Sequence, residues 1–143
     1  MLVEEHSFQM EIKKIAWQDT IPIRHKVLWP DKPPEFCHVK EDESGDHFGV
    51  LVQDELVCVA SVFIDGQSAR LRKFATLETH QGNGIGTTVV NHILKELSAK
   101  GVNNMWFDAR ESVTGFYSRF GFNVIGERFY KGDIPYVRMG MSF

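Results

Sequence analysis

Residues 81–87, Gln-Gly-Asn-Gly-Ile-Gly-Thr, place three alternating glycines directly before an apolar run with helical spacing. The first N–H groups of a helix have no partner within the helix, and the helix dipole adds partial positive charge at that end. A helical glycine costs about 1 kcal/mol relative to alanine, but its missing side chain lets an anion approach the backbone. The stretch predicts a phosphate-binding turn or, alternatively, a glycine-rich turn without a ligand.

Two common phosphate-binding motifs do not match this stretch. A dinucleotide fingerprint starting at Gly82 would need glycine where Thr87 stands. A nucleoside-triphosphate loop would end in Gly-Lys-Ser/Thr, which is absent here. A nucleoside phosphate binder therefore stays open as an alternative class of protein.

The apolar pattern around the glycines predicts a mixed sheet with helices on its faces. Phe8, Met10 and Ile12 alternate with polar residues, as in a first strand, and a short helix follows near residues 21–28, with Pro22 close to its start. The remaining strands are predicted at residues 48–53, 56–64, 69–76, 104–109, 122–130 and 136–143, and two more helical stripes follow Ile85 and Val113. This order predicts a single α/β domain over residues 1–143.

Turn signals separate these elements. Asp54–Glu55 and Asp65–Gly66 predict hairpins, whereas Gly101 and Gly121 end the two later helices. Residues 30–46 carry prolines and an acidic cluster, which predicts a loop with at most one irregular helical turn. This loop is either a solvated connection or a wall over a binding site.

Composition limits the class of protein. The 143 residues suit one core, and 16 basic against 19 acidic residues give a formal net charge of −3. That balance disfavours a nucleic-acid binder that relies on bulk positive charge. No secretory signal and no apolar run of about 18 residues are present, so no membrane span is predicted.

The cysteines and histidines show no metal-binding pattern. Cys37 and Cys58 lack metal-type spacing, and the six histidines form no cluster with each other or with cysteine. We therefore predict no metal site. The cysteines indicate reduced thiols in a cytoplasmic protein, with a disulfide as the alternative.

Three motifs in chain order resemble the GNAT acyltransferase superfamily. Gln81-x-x-Gly84-x-Gly86 resembles its pyrophosphate-binding segment, and residues 72–76 match the strand that pairs with the pantetheine arm. Residues 116–122, Phe-Tyr-Ser-Arg-Phe-Gly-Phe, resemble its aromatic-Tyr-x-x-x-Gly-Phe element. The tail at residues 132–136 resembles a little-characterised bacterial subgroup. The resemblance implies a single, mostly antiparallel sheet whose central strands, at 70–76 and 105–109, splay apart.

The resemblance also implies a set of residues that bind acetyl-coenzyme A. Backbone N–H groups from Gly82 to Thr87 would surround the pyrophosphate, and the Gln81 side chain would reach a phosphate oxygen. The full implied set is Phe74, Ala75, Thr76, Gln81, Gly82, Asn83, Gly84, Ile85, Gly86, Thr87, Arg110, Phe116, Tyr117 and Arg119.

Tyr117 stands where the resemblance places the general acid that protonates the departing thiolate. A tyrosine of pKa near ~10 can donate to a thiolate of pKa near ~8.5 in a site that excludes water. From the residues alone, the favoured interpretation is that Tyr117 packs on the helix beside Val113 and Phe120.

The general base is not identified. Residues 69–72, Ala-Arg-Leu-Arg, lack the carboxylate that many family members carry there. Glu78, His80 and Glu111 are the available titratable groups, and a water-mediated base or an already neutral amine are alternatives.

The resemblance implies that acetyl is transferred from acetyl-coenzyme A to an amine on a small molecule or peptide. Arg24 and Glu111 are the candidate residues on the acceptor side, with a solvated helix charge as the alternative for Arg24. The rival function is a non-catalytic acyl-coenzyme A-binding module. The resemblance also implies a homodimer through the sheet edge.

Overall fold

The computed structural model describes residues 10–143, which form one continuous seven-stranded sheet. Its strands are β1 Met10–Ile15, β2 Asp46–Val52, β3 Glu55–Asp65, β4 Ser68–Thr76, β5 Asn104–Arg110, β6 Asn123–Lys131 and β7 Ile134–Ser142. Its helices are α1 Trp17–Leu28, α2 Ile85–Ala99 and α3 Thr114–Ser118. The predicted order of elements is confirmed, although Phe8 of the predicted first strand lies outside the described residues.

The sheet order is β1-β2-β3-β4-β5-β7-β6, and every neighbouring pair is antiparallel except β4 and β5. The β4–β5 pair holds register only from Ser68↔Asn104 to Arg70↔Trp106. Beyond Arg70 the two strands part, as the resemblance implied. The edge of β4 from Leu71 to Thr76 therefore has no β5 partner.

The two longer helices cover opposite faces of the sheet. Phe48 lies against His92 of α2, whereas His47, the preceding residue, faces the α1 side through Ser61 and Asp42. Successive residues of a strand point to opposite faces, so both faces are buried. Buried hydrophobic side chains therefore lie on both faces of the sheet, between the strands and the helices. Helix α2 contributes Ile85, Val89, Val90, Ile93 and Leu97.

Three element boundaries differ from the prediction. Helix α1 begins at Trp17, so Pro22 lies inside it; stacking of Trp17 on His38 at 4.2 Å adds a tertiary contact to the first turn. Helix α3 spans only five residues, and Val113 is 43% exposed in the turn before it. The first hairpin turn is Gln53–Asp54, both with positive φ, which is the backbone that a two-residue hairpin requires.

The loop that follows α1 contains two short 3₁₀ turns, Pro34–Cys37 and Asp42–Ser44, rather than one. Cys37 and Cys58 are buried free thiols. Within residues 10–143, no helix is long and apolar enough to cross a membrane.

Candidate acyl-transfer site

A cavity of about 750 Å³ opens where β4 and β5 part. The parted strands expose backbone groups along β4, and an extended ligand can pair with such an edge as an added strand would. The N-terminus of α2 and the aromatic residues of α3 form the other walls. The cavity is therefore shaped for a long molecule that lies along β4 and ends at the start of α2.

The glycine turn leaves the first N–H groups of α2 without partners among residues 10–143. Gly84 is the N-cap with φ +80° and supplies no side-chain cap, and Thr88 makes the first helical bond, to the Gly84 carbonyl. A Cβ at Gly82 or Gly84 would meet no atom within 4 Å, so the space beside the turn is open. Open space beside unpaired helix donors fits a pyrophosphate group.

Gly86 serves a different purpose. A Cβ there would lie 3.3 Å from Cζ of Phe116. Glycine at this position therefore lets α3 approach the first turn of α2 closely.

All but one of the residues predicted to bind the cofactor line this cavity. Asn83 is the exception. The Gln81 amide also lies at the cavity, but its Nε2 donates to the Thr76 carbonyl at 3.0 Å and so ties the glycine turn to the end of β4. A role for Gln81 in phosphate binding stays a prediction.

Tyr117 lies in an aromatic cluster at the cavity wall. Its ring centroid is 4.3 Å from that of Phe107 and 5.0 Å from that of Phe116. Burial raises the pKa of its hydroxyl, and the neighbouring Cys58 raises it further, so the hydroxyl keeps its proton at neutral pH. Within residues 10–143 that hydroxyl makes no hydrogen bond, which leaves it available to a ligand.

The two residues predicted to lie on the acceptor side, Arg24 and Glu111, do not line the cavity. Glu111 accepts a hydrogen bond from Nε of Arg128 at 2.8 Å and does not line the cavity. Arg24 is fully buried, so its interpretation as a solvated helix charge is wrong. The Arg24 guanidinium makes a two-pronged ion pair with Asp42 at 2.8 and 2.9 Å, and Arg24 does not line the cavity.

Arg24 belongs to a buried group that we call the Arg24 network, made of Arg24, Asp42, His47 and Ser61. Arg24 also donates to the Cys37 carbonyl and to Ser61, and Ser61 and the Asp42 carbonyl contact the two ring nitrogens of His47 at 2.7 Å. Burial favours the neutral form of Asp42, but bonds from Arg24 and the Val39 N–H outweigh it and lower the pKa of this carboxyl. The network fixes the loop 29–46 to β3. Trp29, the residue directly after α1, lines the cavity, whereas residues 30–46 do not.

Asp108 is a carboxylate at the cavity that the sequence prediction missed. It accepts hydrogen bonds from Arg138 at 2.9 Å and from Arg70 at 3.4 Å, and its side chain is only 9% exposed. Both guanidinium groups also lie over Trp106. A polar residue inside an otherwise apolar strand was the available signal, but the partners on β4 and β7 follow only from the sheet.

Some of the other titratable groups line the cavity, and others do not. His80 lines it, and its Nδ1 lies 2.9 Å from the Thr79 hydroxyl. Glu78 does not line it. The cavity is also lined by four further basic residues whose side chains the sequence analysis had given no role: Arg70, Arg72, Lys73 and Lys131. Among the described residues, no group of His, Cys, Asp and Glu side chains is placed to hold a metal ion.

Comparison with known proteins gives a consistent result. Residues 31–143 match the family model described as an acetyltransferase (GNAT) domain. The chain is 36% identical to the uncharacterized N-acetyltransferase YitI of Bacillus subtilis, over 88% of this chain and 89% of that protein.

Two solved structures show the same fold. A putative N-acetyltransferase from Lactobacillus plantarum superposes with a TM-score of 0.83 at 15% identity, over 93% of this chain and 97% of the other. A GNAT family acetyltransferase from Elizabethkingia anophelis with acetyl-CoA bound gives 0.74 at 16% identity, over 95% and 99%. With a family model that spans most of the chain and a relative this similar, the chain belongs to the GNAT family of acyl-CoA-dependent N-acetyltransferases.

Proposed function

We propose that this chain transfers an acetyl group directly from acetyl-coenzyme A to a primary amine. The observation that carries the proposal is the parting of β4 and β5 directly beside the uncapped N-terminus of α2. The pantetheine arm would pair with the free edge of β4, and the pyrophosphate would accept hydrogen bonds at Gly84–Thr87. The Elizabethkingia anophelis neighbour of the same fold, which binds acetyl-CoA, supports this assignment.

In this proposal, acetyl-coenzyme A supplies an activated acyl group as a thioester. The neutral amine nitrogen would attack the thioester carbonyl, the C–S bond would break, and the Tyr117 hydroxyl would give its proton to the departing sulfur. The proton lost by the amine nitrogen would return to the Tyr117 oxygen, directly or through solvent, and the rings of Phe107 and Phe116 lie beside the Tyr117 ring. Arg119, whose guanidinium lies 5.5 Å from the Phe116 ring centroid, would face the phosphates. Asp108 holds Arg70 and Arg138 in place. Its carboxylate is occupied by these two cations.

The first experiment measures free thiol release from acetyl-coenzyme A with a panel of primary amines. Release that requires an amine, with an acetylated product found by mass spectrometry, supports the enzyme. Tight binding of coenzyme A without turnover on any amine would favour the non-catalytic module. Displacement of coenzyme A by a nucleoside phosphate would point to a phosphate binder of another class.

A glycine substitution tests the binding site. Gly84→Val puts a side chain into the open space beside the α2 N-terminus, so we expect coenzyme A affinity to fall at least about 10-fold by calorimetry. Gly101→Val is the matched control, since Gly101 has φ +82° against +80°, open space at its Cβ and no contact with the cavity. Both variants strain the backbone, at about 1–3 kcal/mol of unfolding free energy. Equal affinity in both would remove the glycine turn from the site.

A further inference from the structure

Resting on the proposed function, we propose that the acceptor amine carries an anionic group, a carboxylate or a phosphate, on the same molecule. The structure assigns the binding of that group to Lys73 and Arg72, at the end of the cavity away from the glycine turn. The substrate class is thus an acidic amine rather than a polyamine or another polycation.

The first support is the backbone at Lys73. Its φ is +54°, in the middle of β4, whereas the other non-glycine residues with positive φ between residues 10 and 143, Gln53 and Asp54, form a hairpin turn. The register of β3 and β4 shifts there, from Val59↔Ala75 to Ser61↔Arg72. Such bulges re-aim side chains and occur next to active sites, and left-handed backbone costs a non-glycine residue about 1–2 kcal/mol. This conformational cost therefore falls at Lys73, whose side-chain amine would bind the anionic group.

The second support is that Lys73 and Arg72 line two cavities at once. A second cavity of about 360 Å³ lies under the loop 29–46, between Phe36, Val39 and Glu41. It shares Trp29, Arg72 and Lys73 with the main cavity and includes no residue of the glycine turn. These two cations therefore face the acceptor side and not the phosphate side of the site.

The third support is unbalanced charge. Within residues 10–143, Lys73 and Lys131 have no acidic partner, and Arg72 has only Glu41 at 3.8 Å, whose side chain is 56% exposed. Burial lowers the pKa of the Lys73 amine, and the charges of Arg72, Arg24 and Lys131 lower it further. Positive neighbours thus dominate the electrostatics around Lys73. A bound anion would relieve this repulsion, whereas a polycation would increase it.

The basic residues nearby that do have partners sharpen the assignment. Arg70 and Arg138 share the single negative charge of Asp108, so that group keeps a net positive charge, whereas the Arg24–Asp42 pair is neutral. Further positive charge at the cavity comes from Lys73 and Lys131, which have no acidic partner within residues 10–143, and from Arg72, whose acidic neighbour is the exposed Glu41.

The test compares amines that differ only in the acid group. The pairs are phosphoethanolamine with ethanolamine and β-alanine with β-alaninamide, and spermidine represents polycations. Thiol release from acetyl-coenzyme A gives kcat/KM, and calorimetry on the coenzyme A-loaded protein gives affinity. We expect the acid-bearing member of at least one pair to be preferred by about 10- to 100-fold. The pair in which the acid-bearing member is preferred identifies the anionic group as a phosphate or a carboxylate.

Three variants assign the preference to Lys73. Lys73→Gln should abolish the preference by raising KM for the acid-bearing amine, while Lys73→Arg should retain most of it. Lys95→Gln is the control, because Lys95 is exposed on α2 away from both cavities and changes the net charge equally. Coenzyme A affinity should stay the same in all three.

Two results would overturn the inference and leave the proposed function standing. One is coenzyme A binding without preference for any acid-bearing probe, in turnover or in calorimetry. The other is a Lys73→Gln variant that loses coenzyme A affinity and not acceptor affinity, since Lys73 would then bind the cofactor. Failure of the wild type to bind coenzyme A would instead refute the proposed function.

Discussion

Arg24 and Lys73 are both cations close to the loop 29–46, and the structure treats them in opposite ways. Arg24 is fully buried, with both terminal nitrogens bonded to Asp42 and to further partners. Lys73 is half-buried at a cavity wall, without an acidic partner within residues 10–143. A buried charge with internal partners is compensated within the fold and is costly to unpair, whereas a half-exposed cation without an acidic partner can bind an anionic ligand.

This contrast extends to the regions around the two residues. In the Arg24 network, donors and acceptors largely satisfy each other, although the Arg24 Nε has no partner among the described residues. Around the cavity, the α2 N-terminus, the β4 edge and the Tyr117 hydroxyl are left open. We therefore expect substitutions in the network to change stability and substitutions at the cavity to change chemistry.

The largest effect is expected from Asp42→Asn. Removal of one partner leaves the Arg24 guanidinium buried without a counter-charge, so the free energy of unfolding should fall by about 3–5 kcal/mol. Urea titration measures it. Lys73→Gln is the comparison and should change stability by less than about 1 kcal/mol. Similar losses in both variants would erase the distinction between the two regions.

Tyr117→Phe should lower the reaction rate and leave stability nearly unchanged. If the hydroxyl protonates the departing thiolate, the single-turnover rate should fall by roughly 10²- to 10⁴-fold with coenzyme A affinity nearly unchanged. Because the hydroxyl has no hydrogen bond within residues 10–143, its loss should not lower the melting temperature. Tyr130→Phe, at a residue that is 59% exposed, controls for loss of a phenol. A wild-type rate in Tyr117→Phe would make Tyr117 a packing residue.

A smaller effect on the free energy of unfolding is expected when the pH is lowered. The pKa of Asp42 is lowered in the folded protein, so its carboxylate stabilises the fold above the unfolded value near ~3.9. That contribution is lost as pH falls through the folded pKa. The stability gap between wild type and Asp42→Asn should thus be constant near neutral pH and narrow below about pH 4. A gap that stays constant down to about pH 2 would contradict the ion pair as its source.

The glycine-turn side of the cavity was largely predictable because its signals are local. Gly84 and Gly86 lie within one turn of each other, and the chemistry they permit depends on backbone at the start of a single helix. The side of the cavity that we assign to the acceptor was not predictable from local signals. Arg24, expected there or in solvent, is buried because Asp42, eighteen residues away, folds back over it.

The amino-acid sequence by itself determined the alternation of strands and helices, the glycine turn before α2 and the position of Tyr117 after β5. Periodicity, turn residues and short motifs specify these features through neighbours a few residues apart. Only the tertiary structure decided which charges are compensated. Asp108 meets Arg70 and Arg138 across three strands, while Lys73 and Lys131 line the same cavity without an acidic partner in the described part of the chain. Charge pairing depends on distances of a few ångströms between residues far apart in the chain, and those distances exist only once the sheet has formed.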